Sequence, residues 1–180
     1  MNGHMKQKEQ SRKMIEDALF ELLEEKEYSQ ITITELVKRA DVARRTFYRL
    51  YGSKEDVIHH YFRRLCGKYQ SAYPALQGYH FKQIALDFFL FWYQEKDTLL
   101  KLHRAGLDEV LYLEVSSAST QVVSGRINSE KLQKSEDLVY FACYSVGGFI
   151  NLLFRWIEEG MTEPPEAYAE IVSGAVSKFI

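Results

Sequence analysis

The stretch from Thr32 to Asp56 constrains this chain most, because its punctuation admits two short helices joined by a tight turn and little else. Thr32-Ile33-Thr34-Glu35 has the form of a capping box, in which the threonine hydroxyl accepts from the amide three residues on and the glutamate reaches back. The helix it opens runs to about Arg39. Ala40-Asp41-Val42 then supplies a three-residue turn: Asp41 is a tolerable residue for left-handed backbone, and Val42 is placed to plug a core. A second helix runs from Ala43 to about Leu50 and stops at Gly52-Ser53, where Ser53 and Asp56 form another capping arrangement opening a helix over 53–69.

The rest of the chain reads as helix too. Over 8–26, Ile15, Ala18, Leu19, Leu22 and Leu23 fall on one stripe of a 3.6-residue period. Beyond Gly78 longer, aromatic-rich helices are expected over 80–94, 97–105, 106–119, 134–160 and 164–179, the last started by Pro164-Pro165. No period-two strand pattern and no internal repeat survives inspection, so the fold class is all-α. With 46% apolar residues and only three prolines in 180 residues, the chain can bury a real core and is not a disordered segment.

Several function classes are disfavoured. Leu138–Ile157 is apolar enough to raise the question of a membrane span, but Ser145, Gly147, Gly148, Asn151 and Arg155 interrupt it. A helix buried on two sides explains it better. The opening Met1–Met5 lacks the apolar run of a signal peptide and is set aside for fold reasoning, and a cytoplasmic location is expected. Cys66 and Cys143 have no CxxC spacing and read as reduced core or near-core thiols. His59 and His60 are adjacent and point apart on a helix, and His80 and His103 have no ligand at metal-like spacing; no metal and no cofactor is expected. No hydrolase, zinc-protease or phosphate-loop motif occurs, so an enzyme is the weak alternative, open only because triads assemble from distant residues.

The net charge of −2 conceals a local asymmetry. From Leu36 to Lys54 there are six basic residues (Lys38, Arg39, Arg44, Arg45, Arg49, Lys54) and one acid, Asp41, a net of +5 over nineteen residues. Basic residues on a short helix usually form a solvated face. Here the turn spacing tips the balance, because two short helices so joined set the second into the major groove, which is wide enough for one helix. Phe47 should point inward with Val42 and Leu36, leaving Arg44, Arg45, Thr46 and Tyr48 toward DNA. Arginine forks match guanine edges, and threonine can meet thymine or phosphate. Lys54, at the start of the next helix, and Thr34, in the first turn of the preceding one, suit phosphates.

Thr32 through Val57, and above all Thr46-Phe47-Tyr48 with Ser53-Lys54-Glu55-Asp56, resembles the signature of TetR-family repressors, over about residues 10–60. The resemblance implies an N-terminal three-helix helix-turn-helix DNA-binding domain (8–54) and a C-terminal helical ligand-binding and dimerisation domain (55–180). It further implies a homodimer formed by the last two long helices, and repression of operator DNA relieved by a small-molecule effector. Three positions depart from the pattern: Ala43 replaces a capping serine, Asp41 a turn glycine, and Leu50 a phosphate-contacting His or Tyr, whose role falls to Arg49 or Tyr51.

Among the C-terminal aromatics, most of which should be core, Trp92, His103, Tyr140, Tyr144 and Asn151 are candidates to line a ligand pocket. Gly147-Gly148 permits close helix approach, and Phe154, Trp156, Tyr168, Ile171, Val172, Ala175 and Phe179 are candidates for the dimer interface, with packing inside one subunit as the alternative. Coupling between pocket and DNA reader would run through the helix over 53–69. A helical interaction module that keeps the fold without reading DNA is the other alternative.

Overall fold

The computed structural model describes residues 3–73, 80–126 and 137–179. The order is α1 (Gly3–Glu25), a 3-10 turn (Tyr28–Gln30), α2 (Ile33–Arg39), α3 (Arg44–Leu50), α4 (Lys54–Ala72), α5 (Phe81–Tyr93), α6 (Lys96–Arg104), α7 (Asp108–Arg126), α8 (Asp137–Glu158) and α9 (Pro165–Phe179). The fold is all-α. The first helix begins upstream of the expected 8–26.

The N-terminal helices pack through the stripe read from sequence. Ile15, Ala18, Leu19 and Leu22 of α1 are buried against Leu36 and Val37 of α2, Phe47 of α3, and Val57, Ile58 and Phe62 of α4. Each large side chain so buried contributes on the order of 1.5–3 kcal/mol. The capping chemistry is also as expected. Thr32 Oγ1 accepts from the Glu35 amide at 3.2 Å, and the Glu35 carboxylate accepts the Thr32 amide at 3.1 Å. The turn closes α2 in a Schellman arrangement: Val42 N–H donates to Val37 O (3.1 Å) and Asp41 N–H to Lys38 O (3.3 Å), with Asp41 at φ 49° in the place a glycine usually takes. Gly106 (φ 68°) and Gly160 (φ 75°) end α6 and α8 in the same way.

In the C-terminal part α5 packs on α9, α4 on α7, and α7 on α8. Trp156 is fully buried between Tyr93 and Tyr168, stacked on both rings at centroid distances of 5.5 and 5.0 Å, with its indole N–H donating to Glu163 O. Tyr168 in turn donates to Leu152 O at 3.0 Å. Trp156, Tyr168 and Val172 therefore pack inside the subunit, and the expectation that they form a dimer interface is corrected: α9 lies on α5 and turns these residues inward. Cys66 is buried, which pushes its thiol up to about 12, whereas Cys143 is exposed, contrary to its reading as a core or near-core thiol. Among the described residues no helix is long and apolar enough to cross a membrane.

Candidate nucleic-acid interface

α3 is only seven residues long, with Leu50 partly buried against the core beside one deeper anchor. Phe47 is fully buried, meeting Tyr48 and Tyr51 at centroid distances of 5.5 and 5.8 Å. With Phe47 fixed inward, the helical period turns Arg44, Arg45, Tyr48 and Arg49 outward, and all four are exposed. Arg44 donates to the Tyr48 hydroxyl at 3.3 Å, its guanidinium 5.6 Å from the ring centroid, so the two side chains form one planar-and-aromatic unit on the outer face. Arg45, Arg49 and the exposed Lys38 have no ion-pair partner among the described residues. Thr34 is exposed in the first turn of α2, and Thr46 is half-buried. Ala43 occupies the N-cap of α3 and offers no side-chain hydrogen bond, which leaves the first amides of the helix uncapped.

Not every basic residue in the segment is free. Arg39 makes a bidentate pair with Glu25, both bonds 2.8 Å, and reaches Glu21 at 3.4 Å; these carboxylates hold its guanidinium charged and hold the Glu25 carboxyl down. Lys54 is turned away from the site expected for it. Its ammonium donates to the carbonyls of Tyr28 and of Ile31 (2.9 Å) and lies 4.1 Å from the Tyr28 ring centroid, and burial lowers its pKa. The α4 N-terminus is meanwhile occupied by Asp56, whose carboxylate accepts from the Gly52 amide (2.8 Å) and the Ser53 amide (3.1 Å). Lys54 thus stitches α4 to the 3-10 turn in this conformation. The expectation for Tyr51 is corrected. The backbone after α3 is extended (φ −144°, ψ 141°) and sends its ring into the core against His60, with the buried hydroxyl unpartnered among the described residues and its pKa raised by burial.

The geometry is that of a short helix-turn-helix with an exposed, basic second helix. Residues 15–63 match the family model for "Bacterial regulatory proteins, tetR family", and residues 79–178, more than half of the chain, match "Transcriptional regulator C-terminal region" of the same family. The chain belongs to the TetR family.

This TetR-family chain is similar in fold to two solved structures. One is the TetR family repressor AlkX from Dietzia sp., implicated in biodegradation of n-alkanes (16% identity, 93% of this chain and 94% of that one, TM-score 0.55). The other is a TetR transcriptional regulator from Streptococcus agalactiae (22% identity, 95% of this chain and 99% of that one, TM-score 0.54). No curated protein matches the sequence. Family membership makes the protein a DNA-binding transcriptional regulator rather than an enzyme.

The candidate pocket residues are not brought together. Trp92 is core, packed against Phe88 and Phe91, with its buried indole N–H unpartnered among the described residues. His103 Nδ1 lies 2.9 Å from the Asp108 carboxylate. Tyr140 and Tyr144 are about 70% exposed, and Asn151 is exposed with its amide donating to Gly147 O at 2.8 Å. The α8 face that carries them points outward, because Val146, Ile150 and Leu153 take the inward positions. Of the candidate interface residues, Gly148, Ile171 and Ala175 are exposed, Gly147 is half-buried, and Phe154 is half-buried with its ring 6.2 Å from Tyr112; the Phe179 side chain lies outside the described residues.

Sequence reasoning missed the carboxylates that fix α4. Glu16 on α1 pairs with Arg64 and lies 3.3 Å from His60 Nδ1, while Glu114 on α7 lies 2.7 Å from His59 Nδ1 and 3.0 Å from Arg63 Nε. The signal was there in the repeated His-then-Arg spacing of four, 59/63 and 60/64, which makes two neighbouring His–Arg stripes on one helix.

Proposed function

We propose that this TetR-family protein is a sequence-specific repressor that binds duplex operator DNA as a homodimer in the cytoplasm and is released by a small-molecule effector. One observation carries the DNA-reading part: with Phe47 buried, Arg44, Arg45, Tyr48 and Arg49 share the outer face of α3, with three of the four side chains cationic. Thr34 and Thr46 flank them for phosphate or methyl contacts. The reader comprises residues 8–54, and the regulatory and dimerisation part 55–180.

Dimerisation is supported by the outward stripe of α8, where Tyr140, Tyr144, Gly148 and Asn151 follow the helical period and are exposed, and by the exposed Ile171 and Ala175 of α9. A dimer would set two recognition helices about one DNA turn, roughly 34–36 Å, apart. An effector then acts by favouring a spacing that no longer fits. The transmitting element in this account is α4, since His60 and Arg64 tie it to α1 of the reader and His59 and Arg63 tie it to α7.

Selection of duplexes from a random library tests the reading. Enrichment of a two-fold symmetric site supports it. Failure to enrich any sequence would favour a helical interaction module that retains the fold, a role to which the uncapped Ala43 lends some weight.

A further inference from the structure

The opening turns of α1 extend past the core. Met5 through Gln10 are all exposed, and the first buried side chain among those described in the helix is Ile15. A helical segment that buries no face gains little from tertiary packing, so its side chains need another reason for their arrangement. Between Met5 and Lys13 the helix carries Lys6, Lys8, Arg12 and Lys13 against one acid, Glu9, and that acid lies 3.5 Å from Arg12. Lys6, Lys8 and Lys13 have no ion-pair partner among the described residues.

One of these lysines meets the recognition helix. Met5, Gln7 and Lys8 of α1 share with Arg49, in the last turn of α3, a concavity of about 380 Å³. Among the described residues two cations line it and no carboxylate does. Like charges gathered on one wall repel, and an anion seated between them turns that repulsion into attraction. The anion has to be reachable from the outer face of α3, because Arg49 belongs to both surfaces. A polyanionic backbone running past α3 satisfies this. Among the described residues the concavity has no aromatic side chain on which a base could stack.

We propose that Lys8, together with Arg49, grips a backbone phosphate of the same duplex that α3 reads, extending the interface onto α1 and adding affinity without sequence preference. This rests on the DNA-reading role of α3. The test measures affinity against salt concentration for the selected operator and for a scrambled duplex, using the full chain and its Lys8→Ala, Lys8→Glu and Lys8→Arg variants. Lys8→Ala is expected to flatten the slope of log affinity against log salt by about 0.9 on both duplexes, leaving their affinity ratio unchanged. Lys8→Glu should lose more affinity than Lys8→Ala, and Lys8→Arg should match the parent.

Unchanged slope and affinity in Lys8→Ala and Lys8→Glu, with the parent still preferring its operator, would overturn this inference and leave the α3 reading standing. A loss confined to the operator would also overturn it, by making Lys8 a base reader. If the parent shows no preference between duplexes, the α3 reading falls and this inference falls with it.

Discussion

Glu16 and Arg64 form an ion pair between α1 and α4 in which the carboxylate is only 3% exposed, while the guanidinium keeps partial access to water. The second Glu16 oxygen lies 3.3 Å from His60, so both partners described for this buried carboxylate come from α4. Removing the cation strands that charge. Arg64→Ala is expected to cost about 3 kcal/mol in urea unfolding, whereas the neighbouring Arg63→Ala, whose side chain is 65% exposed, should cost no more than about 1 kcal/mol. Equal losses would show that burial of Glu16 is not what sets the cost.

Arg44→Ala and Tyr48→Ala should each weaken operator binding by about 1–3 kcal/mol, as expected when a base contact is lost, without altering thermal unfolding. Tyr51→Phe is the contrasting substitution. Its hydroxyl is buried and unpartnered, so the change should leave DNA affinity intact and be neutral or stabilising by up to about 1 kcal/mol. Titrations of the three variants on one labelled duplex, with a melt of each, separate the two behaviours.

How much of this was legible depends on range. The α2–turn–α3 unit is readable because its determinants are local: Thr32 with Glu35, left-handed Asp41, and Ser53 with Asp56 all act within a few residues. The Lys54 contacts were not legible because its stem turns back onto carbonyls 26 and 23 residues upstream, a placement no local pattern encodes. Tyr140, Tyr144 and Trp156 share the same limit. Periodicity puts them on a helix, but which side of α8 is buried is decided by α6 and α7 on one face and by stacking of Trp156 on Tyr93 and Tyr168. Glu16 was missed because it sits beside Ile15 in a stripe read as apolar, and its partners His60 and Arg64 lie 44 and 48 residues away.

The missing cap gives a gain-of-stability prediction. Ala43 has extended backbone (φ −65°, ψ 140°), the conformation of an N-cap residue, and makes no side-chain bond to the amides ahead of it. Ala43→Ser should therefore raise unfolding free energy by about 1 kcal/mol, read as a shift of the denaturation midpoint at constant slope.

Glu35 supplies the pH dependence. The Lys26 ammonium at 2.7 Å, then the Thr32 amide and hydroxyl, hold its carboxyl at about 2, well below the ordinary 4.5. A depressed carboxyl stabilises the fold fully above its unfolded value and loses that contribution as pH falls through its folded value. The parent should thus be more stable than Glu35→Gln at neutral pH, with the gap closing between about 4.5 and about 2. A gap that stays constant on acidification would show that Glu35 acts by shape and not by charge.

The most direct measurement of the central claim is the affinity of the purified protein for its selected duplex against a scrambled one, each at two salt concentrations. A preference of about a thousandfold or more that persists at the higher salt is expected, on a two-fold symmetric site bound by two chains. Weak binding that is indifferent to sequence and vanishes with salt would contradict it.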